Sequence, residues 1–313
     1  MIAKTLYFSQ PVYLSIRNDL LIVKFPEESL TPELKERVNA KNEISFALSE
    51  VGYIILDNPQ ITLTQKVFEC CMKENVAIIT CDSSHIPTGL CLALYSNVLQ
   101  SERYKEQIQV GEALKNLLWT QIIKQKIINQ GKVLCAWYPV FDFSYFEKAA
   151  KNVKSGDSTN MEGKIASFYW ARLFPNVKNF IRRREGIPPN NLLNYGYAIL
   201  RAITARAIVS TGLLPTLGLH HTNRYNPYCL ADDLMETYRP YVDNLVCEIV
   251  HKQGVPETLD KTIKASLLEV SFIDVHFKEE TCPLMNGVQK TVHSLYKCFT
   301  GEYRKLYLPE IEY

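Results

Sequence analysis

The apolar residues of this chain change their period once, near Tyr95, and that change limits the fold more than any other feature of the sequence. Before it, VYLSIRNDLLIVKF (12–25) alternates at Val12, Leu14 and Ile16, turns at Arg17-Asn18-Asp19, and resumes at Leu20, Ile22 and Val23, the pattern of a β-hairpin. EISFALSE, GYIILDNP and AIITCD read as three further strands, and TLTQKVFECCMKENV, with Val67, Phe68, Cys71 and Val76 on its apolar positions, reads as one helix among them. After Tyr95 strand alternation is rare. SERYKEQIQVGEALKNLLWTQIIKQKIINQGK is a long helical pattern with a stop expected at Gly131, and NYGYAILRAITARAIVSTG is a helix with a stop at Gly212. DKTIKASLLEVSFIDVHF and MNGVQKTVHSLYKCFTGEYRKLY read as two more helices. The expected fold class is α+β: a small β-rich N-terminal domain over residues 1–95, followed by a larger all-α catalytic domain over 96–313.

With 313 residues, 47% of them hydrophobic, the chain is long enough for two cores. Its cysteines form no CxxC pair, which argues against a zinc ribbon, and their odd number fits a reducing compartment. The first 25 residues lack the long apolar run of a signal peptide, and no stretch of eighteen uncharged apolar residues occurs; a cytoplasmic location without a membrane span is expected. Charge is unevenly spread. Residues 1–100 hold 8 Lys+Arg against 11 Asp+Glu (net −3), residues 101–200 hold 15 against 8 (net +7), and residues 201–313 hold 12 against 14 (net −2). A basic middle third points to a local anionic partner.

Three acidic or imidazole groups stand out. In MEGKIASFYWARLF (161–174), Glu162 falls within the arc of Met161, Ile165, Phe168, Tyr169 and Leu173. A carboxylate there either has a compensating arginine, N–H donors or metal ion, or simply favours the positive end of the helix dipole in the first turn. The preceding SGDSTN offers Asn160 or Thr159 as helix cap. In NPYCLADDLMETYRPYVDNLVCEIV the stripe Leu230, Leu234, Tyr238, Tyr241, Leu245, Ile249 predicts a single helix from about Asn226. Asp233 and Glu236 neighbour each other on its opposite, wetter face. Paired acids on one turn repel unless a cation sits by them, and a histidine pair, His220-His221, ends the apolar run LLPTLGLHH just upstream. Carboxylate oxygens with one imidazole suit Mg²⁺ or Mn²⁺ better than zinc. Repulsion among Glu162, Asp233 and Glu236 without metal is expected to raise at least one carboxylate pKa.

On these residues the sequence resembles the CRISPR-associated integrase/endonuclease of the adaptation module, the first Cas protein family. Glu162 in MEGKIASFYW, GLHH at 218–221 and CLADDLMETYRP at 229–240 carry its signature, LLNYGYAILRAITARAI at 192–208 is similar to its central helix, and SSHIPTGL at 83–90 to its domain junction. The doubled histidine and ADDLME look most like versions that accompany type II CRISPR systems. The resemblance implies Glu162, His221 and Glu236 as catalytic metal ligands for Mg²⁺ or Mn²⁺, with Asp233 as an auxiliary acid. Some members carry aspartate at the last ligand position, so Glu236 is a modest departure. It further implies insertion of captured foreign DNA into the repeat array by 3′-OH attack on a phosphodiester, double-stranded DNA as partner, and homodimers of which two flank a dimer of the second Cas adaptation protein. The β-rich domain would be the dimer surface. A metal-dependent repair or branched-DNA nuclease without integration would use the same three ligands. Arg182, Arg183 and Arg184, in a row in IRRREGIPPNN, are candidates for contacts to the DNA backbone, together with Lys124, Lys126 and Lys132.

Overall fold

The computed structural model describes residues 4–95 and 97–312, which form two compact units meeting in sequence at residues 96 and 97. The first unit contains β1 (Lys4–Phe8), β2 (Tyr13–Arg17), β3 (Leu20–Lys24), α1 (Pro32–Lys35), β4 (Glu43–Ala47), β5 (Val51–Leu56), β6 (Thr62–Leu63), α2 (Gln65–Lys73), β7 (Ala77–Cys81) and β8 (Pro87–Cys91). One sheet has the order β1-β5-β7-β8, parallel except for β7 with β8, and the other has the order β4-β3-β2-β6. The β2–β3 turn places Asn18 and Asp19 at φ 51° and 60°, the left-handed pair that a two-residue hairpin turn requires. Leu14, Leu21 and Val23 from one sheet, Ile54 and Ile78 from the other, and Val67 and Cys71 from α2 share one core.

The second unit contains α3 (Gln100–Gln109), α4 (Glu112–Trp137), α5 (Ser144–Lys151), α6 (Met161–Leu173), α7 (Asn190–Ser210), α8 (Cys229–Met235), α9 (Arg239–Gln253), α10 (Lys261–Leu268), β9 (Asp274–Phe277), β10 (Glu280–Pro283) and α11 (Leu284–Phe299). The molecule is therefore α+β, but the second unit is not all-α. The segment 260–277 tightens from α-helix to a 3-10 turn over Glu269–Phe272 and then becomes a strand, because Val275 and Phe277 alternate into the core and the chain turns back at once into β10. The long pattern at 101–132 is two helices, separated where Val110 and Gly111 are extended. Gly131 does not stop α4. Its absent side chain instead lets the Phe146 ring of α5 approach: a Cβ there would lie 2.5 Å from Phe146 Cγ. Gly212, by contrast, ends α7 at φ 76° as its pattern predicts.

α4 organises this unit. Leu118, Trp119, Ile122, Ile123, Ile127, Val133 and Leu134 bury most of its circumference, and Lys126, Asn129 and Gln130 are buried among them. A helix apolar on nearly all sides belongs in the middle of a core, and polar groups on it need partners from elsewhere. Among the described residues no helix is long and apolar enough to cross a membrane.

Gly131→Ala tests the reason for that glycine. Helix propensity alone would make the change stabilising by about 1 kcal/mol. The close approach of Phe146 predicts instead a loss on the order of 1–3 kcal/mol from overpacking, measurable by urea denaturation; a stabilised variant would show that α5 yields freely.

Candidate active site

Glu162 stands in the first turn of α6, where the free N–H groups are already taken. Asn160, at φ 50°, accepts from Gly163 N–H (3.1 Å), and buried Asp157 accepts from Met161 N–H (2.8 Å) and Glu162 N–H (2.9 Å). Asn160, not Thr159, is thus the cap residue, and the Glu162 carboxylate is free to do something else. It meets Lys126 of α4, whose ammonium donates to Glu162 Oε1 at 2.6 Å.

The second carboxylate reaches the same lysine. The expected single helix at 226–250 is broken into α8 and α9 by a turn at 236–238. Proline explains the break: in a continuing helix the Pro240 ring would collide with the carbonyl of residue 236, whereas in the first turn of a new helix it is tolerated. The break also overturns the wet face assigned to the two acids, since Asp233 is 0% and Glu236 4% exposed. Glu236 Oε2 lies 2.6 Å from Lys126 Nζ, off the line of a hydrogen bond, and Oε1 lies 3.0 Å from Arg239 Nε. Burial pushes the Glu236 carboxyl up, but Arg239 and Lys126 together hold it below the usual carboxylate range. The expected upward shift from mutual repulsion is therefore reversed at Glu236, because two cations accompany the acids. Lys126, which sequence reasoning grouped with possible DNA contacts, is buried. Burial lowers its pKa, yet Glu236 and Glu162 outweigh that and leave it raised, so it carries its charge. Lys132 pairs with Glu310. The position of Lys126 on the helix face that carries Trp119, Ile122, Ile123 and Ile127 was the signal available in the sequence.

Asp233 acts on the histidine loop. Its Oδ2 accepts the backbone N–H groups of Leu219 (2.6 Å) and His220 (3.0 Å), and its Oδ1 accepts that of His221 (3.2 Å) and lies 2.5 Å from His221 Nδ1. The loop can wrap a carboxylate this closely because residue 218 is glycine: a Cβ there would sit 2.8 Å from Asp233 Oδ2 and collide with the His221 carbonyl. The hydrogen bond to Asp233 raises the His221 pKa despite partial burial. With a proton on Nδ1 facing Asp233, Nε2 is the ring's available lone pair, the arrangement usual for a metal-binding histidine. His220 behaves differently. Its ring stacks on buried Trp119 of α4 at 4.4 Å and 2° between planes, while His221 meets Trp119 edge-on. Asp232 pairs with Arg201 of α7 (2.7 Å), away from the two glutamates.

The structure thus brings Glu162 and Glu236 onto one cation and fixes His221 on Asp233. Among the described residues it does not gather three His, Cys, Asp or Glu groups at ligand distance. Two carboxylates converging on an ammonium fit a hard divalent cation by donor chemistry. His221 is near enough to Glu236 for mutual electrostatic influence. Of the three arginines, Arg182 alone is turned toward this region. The segment is a loop, pinned by buried Asn190, which accepts from Arg182 Nη1 and Arg183 N–H at 2.9 Å each. Arg183 and Arg184 are exposed. Arg182 and Arg239 both face the Tyr197 ring, at 5.1 and 4.7 Å, and with Lys126, Trp170 and Asp243 they line a cavity of about 70 Å³. A larger groove of about 880 Å³ has His221, Lys115, Arg224 and Tyr225 in its walls.

The chain is similar to known proteins in sequence and in fold. The profile of the family described as CRISPR associated protein Cas1 matches residues 6–271. The chain is 31% identical over 265 residues to the CRISPR-associated endonuclease Cas1 of Neisseria meningitidis serogroup C (strain 8013), covering 84% of this chain and 86% of that one. Its fold is similar to that of a casposase bound to integration product (TM-score 0.77, 21% identity, 100% of this chain and 94% of that chain). It is also similar to a Cas6-RT-Cas1–Cas2 complex chain (TM-score 0.74, 16% identity, 99% of this chain and 36% of that chain).

Asp243, behind the cationic wall, predicts a pH dependence. It accepts hydrogen bonds from Tyr169 (3.0 Å) and Tyr197, yet burial pushes its carboxyl up to about 6. A raised folded-state value means the contribution is fully present below the unfolded value near 4 and is lost as pH rises through about 6. Asp243→Asn, which keeps the shape, should remove that part of the wild-type decline, at most roughly 3 kcal/mol between pH 4 and 7. Parallel stability profiles for the two proteins would contradict it.

Proposed function

The chain belongs to the Cas1 family of CRISPR-associated proteins, and on that premise we propose that it is a metal-dependent DNA integrase and endonuclease of CRISPR adaptation. The reaction is strand transfer. The 3′ oxygen of a captured foreign fragment forms a bond to a repeat phosphorus as the bond from that phosphorus to the repeat's own 3′ oxygen breaks. The attacking hydroxyl loses a proton and the departing oxygen gains one, so phosphodiester number is conserved and no nucleotide need be hydrolysed.

One observation carries the reading: Glu162 of α6 and Glu236 of the turn after α8, far apart in sequence, share a single cation at 2.6 Å each. A Mg²⁺ or Mn²⁺ ion held there would supply Lewis-acid polarisation of the phosphate. Glu162 and Glu236 would contribute carboxylate oxygens and His221 its Nε2. Asp233 would keep the imidazole in register from behind, a supporting role and not that of a ligand. Arg182 and Arg239 give the adjoining cavity a positive wall suited to a phosphate oxygen. Exposed Arg183 and Arg184 remain candidates for the DNA backbone, and the groove beside His221, with Lys115 and Arg224 as cations and Tyr225 as a stacking surface, is the proposed place for a DNA end. DNA as substrate is supported by the likeness to a casposase bound to integration product, and the second adaptation protein as partner by the likeness to a chain from a Cas1–Cas2 complex. Residues 1–95 would serve dimerisation, with two dimers flanking the partner dimer.

A strand-transfer assay on a repeat-bearing plasmid, run with a nuclease assay on branched DNA, tests this. Glu162→Gln and His221→Ala should lose transfer by at least ~10²-fold while still binding DNA, an effect on the scale of removing a group that acts in the transition state. His220→Ala, which loses ring contacts with Trp119 and His221 but no proposed metal ligand, should keep appreciable activity. Branched-DNA cleavage without any transfer would favour a repair nuclease. Duplex binding should also weaken steeply with salt, with a log–log slope of roughly −0.9 per phosphate contacted; salt-insensitive binding would rule out the basic residues as the main contacts.

A further inference from the structure

We infer that Lys126 is a built-in counter-cation: its ammonium keeps Glu162 and Glu236 converged in the metal-free protein, and an incoming divalent cation displaces it. The inference rests on the metal reading of the site given above. Its starting point is charge. Lys126 and Arg239 bring two positive groups to the two glutamates, so the set is neutral as it stands. The side chains of Lys126 and Glu236 are 8% and 6% exposed and that of Glu162 is 28% exposed, and two carboxylates drawn to one point repel unless a cation lies between them. An ammonium within 2.6 Å of both carboxylates occupies the space that a cation bound by the same oxygens needs. The two cannot share it.

The surrounding structure lets the lysine leave without moving the carboxylates' backbone. Asn129, one turn further along α4 and fully buried, donates to the Thr237 carbonyl (2.9 Å), next to Glu236, and to the Pro309 carbonyl (3.1 Å), and accepts from Ile311 N–H (3.1 Å). α4 therefore holds the 236–237 turn twice: Asn129 through the backbone, and Lys126 through charge alone. On the other side, Asp157 and Asn160 fix the first turn of α6 independently of the Glu162 side chain. Lys126 also borders the cavity of about 70 Å³, larger than the ~30 Å³ share of one water, whose wall holds Gln130 and Asp243 as well as Arg182 and Arg239. A displaced ammonium has room there. Cation binding is then an exchange of a fixed monovalent charge for a divalent one between anchored carboxylates.

The test is thermal unfolding of the full chain in EDTA and across a Mn²⁺ titration, for wild type, Lys126→Met, and Lys126→Met combined with Glu236→Gln. Lys126→Met should melt several degrees below wild type in EDTA (on the order of 2–8 °C). It should then recover more than wild type gains on adding Mn²⁺, with half the effect at about tenfold lower Mn²⁺, because no ammonium competes. The double variant should regain most of the loss in EDTA and show little response to Mn²⁺. A Lys126→Met protein that unfolds only when Mn²⁺ is withheld would support the inference equally. It is overturned if Lys126→Met loses stability that Mn²⁺ does not restore, since packing alone would explain that. It is overturned too if Lys126→Met melts and responds to Mn²⁺ like wild type. Absence of a Mn²⁺ response in wild type as well as the variants would overturn the metal reading itself, and this inference with it.

Discussion

The Lys126 ammonium, buried on α4 and 2.6 Å from one oxygen of Glu162 and one of Glu236, is the contact on which the geometry of the site depends. Ionised groups are not buried singly, because removing each from water costs several kcal/mol unless a partner offsets it. Here α6 supplies one acid, the turn after α8 the other, and the start of α9 a second cation, Arg239. Three separate stretches of chain must therefore arrive at α4 together, or the buried charges of Lys126 and Glu236 are left without partners. The contact does not need to add net stability to have this effect. It excludes the alternative packings in which any one of the three stretches is displaced.

The histidine loop is built on the same logic with a different currency of contact. Asp233 is fully buried, and its carboxylate is satisfied by three backbone N–H groups and by the His221 ring. A carboxylate so surrounded has no remaining need for a metal ion, which is why it serves better to orient His221 than to bind beside it. Trp119 completes the arrangement from α4 by stacking on His220 and meeting His221 edge-on. Two adjacent histidines of one short loop thus acquire distinct jobs from a single indole and a single carboxylate.

The cationic wall of Arg182 and Arg239 is held at one remove. Both guanidinium groups face Tyr197, whose hydroxyl donates to Asp243, and Tyr169 of α6 donates to the same acid. The C-terminal segment joins through Asn129 and through Gln121, which binds Arg304 and Leu306. Residues near the chain end are in this way part of the scaffold that carries Glu236.

What the sequence determined by itself was local. Apolar patterning placed β2, β3, β4, β5 and β7 of the first unit and the turn at Asn18-Asp19, but not β1, β6 or β8; 3.6-residue periodicity placed most helices of the second, and the stretches around Glu162, His221 and Glu236 singled out those residues. Periodicity works because it depends only on which side of an element faces a core. It misjudged Gly131, the end of α10 and the helix across Pro240. At each, something beyond the local pattern decides: the Phe146 ring against Gly131, the return of the chain into β10, and a proline placed to begin α9. The tertiary structure alone decided that Asp233 and Glu236 are buried, that Lys126 is the countercharge of Glu162 and Glu236 and not a surface lysine, and that Arg182 differs from Arg183 and Arg184. The physical reason is the same throughout. A charge can be buried only beside its partner, and the partners lie tens of residues away in a sequence that records no distances between them.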